Sequence, residues 1–194
     1  MSPINTTDLP IISFETPDEW NHWLEQNYHT LKGIWLRFYK KGSGVTSITY
    51  AQALDEALCY GWIDGQLKGS DEKSYLQRFT PRRARSIWSK RNIEHVARLE
   101  KEGRIKPSGL KEIEAAKVDG RWDKAYDSHS NMTIPEDFLL ELQKDKTAFA
   151  FFETLTKSNK YAIAWRLQTA AKSETRDKRM KTILEMLSKG EKFH

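Results

Sequence analysis

Six basic residues and no acidic one lie between Arg78 and Arg91: Arg78, Arg82, Arg83, Arg85, Lys90 and Arg91. The 194-residue chain carries a net charge of +5, so its basicity belongs to this one segment. Guanidinium forks, the Ser86 and Ser89 hydroxyls and helix amide donors are the parts of which phosphate and carboxylate sites are made. Lys90 and Arg91 fall in the first turn of a helix predicted after Ser89. The macrodipole is positive there, and each cation is unfavourable by about 0.3–1 kcal/mol. A bound anion would relieve that repulsion. The bland alternative is a solvated charge run, partly neutralised by Asp64, Asp71, Glu72 or the acidic C-terminal helices. The candidate site therefore comprises Arg78, Arg82, Arg83, Arg85, Ser86, Trp88, Ser89 and Asn92, with Trp62 and Asp64 as its opposite wall. Its expected partner is an anionic small molecule or an acidic protein surface.

Other chemistries are represented more thinly. Trp88, Phe79 and Tyr75 beside the cations would suit base stacking, which makes nucleic acid a second class of partner, although no nucleic-acid motif occurs. Asp64, between Trp62 and Gly65, could act as a general base, or it could pair with Arg78 or Arg82. The single cysteine, Cys59, lies near a predicted helix C-terminus one turn after Asp55. Both neighbours raise a thiol pKa, so a buried structural cysteine is expected rather than a nucleophile. The five histidines (His22, His29, His95, His129, His194) form no ligand-spaced set. No phosphate-binding or dinucleotide glycine loop and no nucleophile elbow is present, so no metal or cofactor is expected.

One cysteine also excludes an internal disulfide. Seven Trp, seven Tyr and eight Phe argue for a folded chain with a real core. The longest apolar run, Ala148 to Phe152, is far short of the ~20 residues that span a bilayer. The start of the sequence has neither the basic nor the apolar region of an export signal, so a cytoplasmic setting is expected.

Thr16-Pro17-Asp18-Glu19 reads as a capping box opening a helix whose Trp20, Trp23, Leu24 and Tyr28 form a core-facing stripe. Ile34 to Tyr39 alternates as a strand with both faces partly covered. Lys40 to Gly44 is a glycine-rich turn and a candidate lid. Thr49 to Gln52 is a second box, with Gly61 at the C-cap of its helix. Strands over 62–67 and 74–80 would form a hairpin with Trp62, Asp64 and Gln66 sharing a face with Phe79, Gln77 and Tyr75, and with Ile63, Leu67 and Leu76 toward the core. Helices come next, burying Ile93, Val96 and Ala97, then Leu110 and Ile113. Residues 119–131 read as a linker. From Thr133-Ile-Pro-Glu136, a third capping box, everything is helical. The expected fold is α+β: a small, mainly antiparallel sheet with strands near 11–14, 34–40, 62–67 and 74–80 packed by helices, in a domain over 1–125. A helical region over 133–194 completes the chain.

ALCYGWIDG (57–65), RFTPRRARSIWSKRN (78–92) and SETRDKRMKTILEMLSKGEK (173–192) resemble the YdeI/OmpD-associated, bacteriocin-protection family over nearly the whole chain. The first two stretches are fairly specific; the last is an amphipathic helix that matches mainly in context. That resemblance implies a bacterial protein linked to envelope stress and antimicrobial-peptide resistance, with a porin partner, and supplies no catalytic residues. Without an export signal, direct porin contact is not expected here.

Overall fold

The structure, a computed structural model, describes residues 9–127 and 131–193. His129 and His194, and residues 128–130 of the predicted linker, lie outside them. The chain divides into two compact units. The first holds the described residues up to Ser86 together with Asn92–Asp123; the second holds Ile87–Arg91 and the described residues from Lys124 onward.

The first unit is built on a four-stranded sheet in the order β1-β2-β4-β3, from β1 (Ile11–Ile12), β2 (Ile34–Tyr39), β3 (Trp62–Gly69) and β4 (Ser74–Pro81). β1 runs parallel to β2; the other pairings are antiparallel. Helices α1 (Pro17–Asn27) and α2 (Tyr50–Cys59) cover one face, onto which Ile34, Leu36, Phe38, Trp62 and Phe79 project and are buried. Trp20 of α1 meets Trp62 and Phe79 edge-on, at 6.4 and 5.9 Å between ring centroids. The two buried indoles are satisfied: Trp20 donates to the Ala53 carbonyl and Trp62 to that of Tyr28. Truncating either ring would cost about 3–5 kcal/mol.

The hairpin keeps its predicted facing only at its open end. Trp62, Asp64 and Phe79 share a face as expected, with Asp64 directly opposite Phe79. An extra residue then enters β3 between Asp64 and Leu67, so that Leu67, not Gln66, faces Gln77. Such a bulge shifts every later side chain to the other face. The core side is also largely inverted: it is Trp62's face that the helices cover, while Ile63 is half-buried and Leu67 is 67% exposed; Leu76, at 5%, is buried as expected.

Thr49 forms the full reciprocal capping box with Gln52. Thr16 caps Glu19, whose carboxylate reaches back to the Glu15 amide instead of that of Thr16. The third box does not form; Pro135 is the N-cap there and offers no side chain. Helix α3 (Lys90–Lys101) is tied to α2 through Asp55, which receives His95 at 2.7 Å and Arg98 at 2.6 Å. In α4 (Pro107–Val118), Ile113 is buried but Leu110 is 41% exposed. Ala97, expected inward, is exposed.

The second unit contains α5 (Glu136–Leu142), α6 (Lys146–Glu153), α7 (Lys157–Gln168) and α8 (Ser173–Ser188). Phe138, Leu142, Phe152, Ile163, Leu167, Ile183 and Leu187 form its core. Asp145 and Thr156 cap α6 and α7 with their side chains. Within the segment read as a linker the two units divide after Asp123; beyond that point Ser89 bridges Tyr126, whose amide donates to the Trp88 carbonyl and whose carbonyl accepts from Lys90. The architecture is α+β, with a sheet and helices in the first part and, among the described residues, helices without a sheet strand in the second.

Candidate functional site

The sheet separates residues that the sequence grouped together. Trp62 and Asp64 lie on its helix-covered face, where Trp62 is only 1% exposed and Asp64 accepts a 2.8 Å hydrogen bond from the Tyr50 hydroxyl. Arg78 projects from the opposite, half-exposed face, directly across from Trp35 of β2. Its guanidinium lies over Gly65, whose missing side chain leaves it room: a Cβ there would stand 3.3 Å from Arg78 Nε. That Nε is buried and has no hydrogen-bond partner among the described residues. Arg37 and Tyr39 share this face; Arg37 donates to Asp71, Ser70 and Ser74.

Pro81 ends β4 as predicted, and the chain turns sharply. The Arg82 amide still donates to the Gly61 carbonyl at 2.9 Å, and the Arg82 side chain is 7% exposed. Residues 83–86 then close a turn through a 2.9 Å bond from the Ser86 amide to the Arg83 carbonyl. Its third residue, Arg85, has φ 68°, the only non-glycine in the left-handed region among the described residues. Glycine is the usual occupant of such a turn position, and an L side chain there is strained. Arg83 and Arg85 are both exposed, and among the described residues neither meets a carboxylate. Ser86 is half-buried, and Asn92, in α3, is buried.

Sequence reasoning missed the residue that braces this turn. Arg121 donates from Nη1 to the Ser86 carbonyl at 2.7 Å, while its Nε contacts both oxygens of Asp119. The Arg121 guanidinium holds the Asp119 carboxyl below its ordinary pKa. Nothing local could have revealed the contact, because 35 residues separate the partners.

Trp88 and Ser89 are buried and belong to the second unit. Lys90 is in that unit too, paired with Asp127 at 2.7 Å. The predicted set is thus Arg82 and the cationic turn after it (Arg83 to Ser86), Asn92 in α3, one arginine on the half-exposed sheet face, two residues on the covered face, and a tryptophan and serine in the other unit.

Cys59 cannot be a ready nucleophile. It is 1% exposed, and burial, reinforced by Glu56, pushes its thiol up to about 12. A hollow of about 710 Å³ lies beneath the 40–49 loop, with Phe38, Tyr50 and Tyr75 as an aromatic floor and Lys40, Lys41 and Ser43 on its rim. Among the described residues, no group of three His, Cys, Asp or Glu side chains is disposed to hold a metal ion, and no helix is long and apolar enough to cross a membrane.

Residues 12–112, just over half of the chain, match the family model of a domain of unknown function (DUF8412). Residues 131–190 match the model described as bacteriocin-protection, YdeI or OmpD-associated (OmdA). Comparison with curated proteins and with solved structures gave no match. The chain belongs to the DUF8412 family, and its helical C-terminal region carries a domain that matches the YdeI/OmpD-associated model.

Proposed function

We propose that this protein is a non-catalytic binding protein whose first unit recognises an anionic group at the turn between β4 and α3. The observation that carries this reading is the pair Arg83 and Arg85: two exposed guanidiniums, without a carboxylate partner among the described residues, on a strained turn fixed from behind by Arg121. Fixing the turn reduces the ordering cost of binding, and guanidiniums on one short turn offer the kind of donors that a phosphate or carboxylate accepts. Ser86 closes the same turn, and Arg82 immediately precedes it. Trp88 and Ser89 belong to the second unit and are not assigned to the ligand. Linkage to envelope stress or to a porin rests on the family's name alone and is no part of this reading.

Thermal-shift titrations with inorganic phosphate, pyrophosphate and citrate test it. Stabilisation that an Arg83→Ala/Arg85→Ala variant loses is the expected result. No stabilisation by any of the three, or equal stabilisation of the variant, overturns it.

A second reading, single-stranded nucleic acid, is favoured by the half-exposed sheet face, where Trp35 stands opposite Arg78 and beside Arg37 and Tyr39. Stacking rings interleaved with guanidiniums are how such strands are held without sequence preference. Its signature is affinity for an oligonucleotide that falls steeply with salt, as released counterions require, and that drops in Trp35→Ala. Salt-independent or absent binding removes it.

A further inference from the structure

The second unit carries its own cationic hollow, which no sequence motif singles out. Thr175, Lys178, Arg179 and Thr182 lie on one stripe of α8, at the i, i+3, i+4, i+7 spacing that puts side chains on a common helix face. With Arg166 of α7 and Phe193 beyond α8 they line a groove of about 340 Å³. Among the described residues no carboxylate lines it. Arg179 is anchored: its Nη1 donates to the Arg166 carbonyl at 2.8 Å, which satisfies an end-of-helix acceptor in α7 and accounts for that one residue structurally. It does not account for the other two cations. Among the described residues, neither the Arg166 guanidinium nor the Lys178 ammonium has a hydrogen-bond or ion-pair partner.

The electrostatics agree with the geometry. Arg179 is held below the ordinary arginine range by partial burial and by the like charge of Arg166. Three other cations of this unit are matched with acids: Arg176 with Asp137, Lys144 with Glu141, Lys160 with Glu153. Three cations that converge on a concavity instead repel one another until an anion enters. Two threonine hydroxyls add donors, and the Phe193 ring adds an apolar wall.

We infer that the groove between α7 and α8 is a phosphate-ester site: Arg166, Lys178 and Arg179 take the phosphate, the Thr175 and Thr182 hydroxyls contribute donors, and Phe193 lies against the organic part. The inference stands apart from the arginine turn of the first unit, since it uses none of the same residues. A soluble phosphorylated small molecule and a phospholipid headgroup present the same chemistry.

The test titrates the full chain with phenyl phosphate by calorimetry at low salt, and in a second arm measures sedimentation with phosphatidylglycerol against phosphatidylcholine vesicles. Binding in either arm that falls about tenfold in Lys178→Glu and in Arg166→Gln, as loss of one charge-assisted contact requires, supports the site. These two exposed side chains leave the Arg179 bond to the Arg166 carbonyl in place, and circular dichroism verifies the fold. Phenyl phosphate binding identifies a soluble ester as the source; binding only to the anionic vesicles identifies a headgroup. Phe193→Ala should weaken phenyl phosphate while leaving any inorganic phosphate affinity unchanged. No binding in either arm, or binding that these variants retain while Arg83→Ala/Arg85→Ala abolishes it, overturns the groove and leaves the proposed turn site as the anion site. The reverse pattern overturns the turn site alone.

Discussion

Arg121 reaches back 35 residues to donate to the carbonyl oxygen of Ser86 at 2.7 Å. The bond joins the segment after α4 to the turn after β4, so the arginine-rich turn does not hang free on its own backbone. Arg121 is itself oriented by Asp119, two residues earlier. The guanidinium is largely covered, at 16% exposure, so replacing it by methionine should leave the Ser86 carbonyl without its donor. A hydrogen bond to a charged group is worth about 1.5–3 kcal/mol. Arg121→Met should therefore lower unfolding stability by about that much in urea titrations. It should also weaken pyrophosphate binding at the turn, although Arg121 is not assigned to the ligand. Unchanged stability would mean that the bond is not formed in solution.

Arg85 makes a prediction of the opposite sign. Holding an L residue in the left-handed region costs about 1–2 kcal/mol, and glycine at that position is free of the strain. Greater chain entropy of the unfolded glycine variant offsets about 0.5–1 kcal/mol. Arg85→Gly should thus be neutral to about 1 kcal/mol more stable than the parent, yet bind anions less well. Such a trade marks a strained residue retained for binding. A loss of stability would show that the Arg85 side chain is structural.

Legibility of the fold in the sequence tracks the range of the interactions involved. Alternation placed β2 at Ile34–Tyr39, and the capping pattern placed the start of α2 at Tyr50, because both signals are local. The α+β class and the helical C-terminal part came from the same signals. The inward face of the hairpin did not, since it depends on which side α1 and α2 cover. A single bulged residue between Asp64 and Leu67 then reverses the facing of the residues beyond it. For the candidate site, adjacency in sequence was a fair guide to the turn at Arg83–Ser86 and a poor one across the sheet. Trp62 and Arg78 are on neighbouring strands but opposite faces. Arg121 was invisible because the carbonyl it reaches is distant in sequence, and the groove-lining Arg166 because the other groove residues come from α8 and beyond.

Gly109 sets how closely α4 approaches the end of α2. A Cβ built there would lie 2.3 Å from the Cys59 carbonyl oxygen and 2.9 Å from that of Leu58. Both obstacles are backbone, so neither can swing away. Gly109→Ala must push the helices apart and should cost about 1–3 kcal/mol, although alanine is the better helix former by about 1 kcal/mol. Thermal unfolding of the variant would read the difference. A rise in midpoint would mean that helix propensity outweighs the clash and that the two helices sit farther apart than described.

The same junction fixes the alkaline limit of stability. Burial, then Glu56, raises the Cys59 thiol from its ordinary 9.0 to about 12. Burial, with Glu25 and Glu56, raises the neighbouring Tyr60 hydroxyl from 10.0 to about 12. Between about pH 9 and 12 the folded chain keeps both protons while the unfolded chain gives them up. Stability falls with pH wherever the native state binds more protons. The contribution is therefore whole below about pH 9 and is lost progressively toward pH 12. Cys59→Ala should flatten the earlier part of that decline, leaving the part that begins near pH 10, where Tyr60 takes over. A thiol reagent supplies an independent check. Because only the thiolate attacks and the sulfur is enclosed, labelling of Cys59 at pH 8 should proceed at the rate of unfolding and accelerate in urea. Rapid labelling of the folded protein would place the thiol in an accessible, acidified setting and restore the nucleophile that its surroundings here argue against.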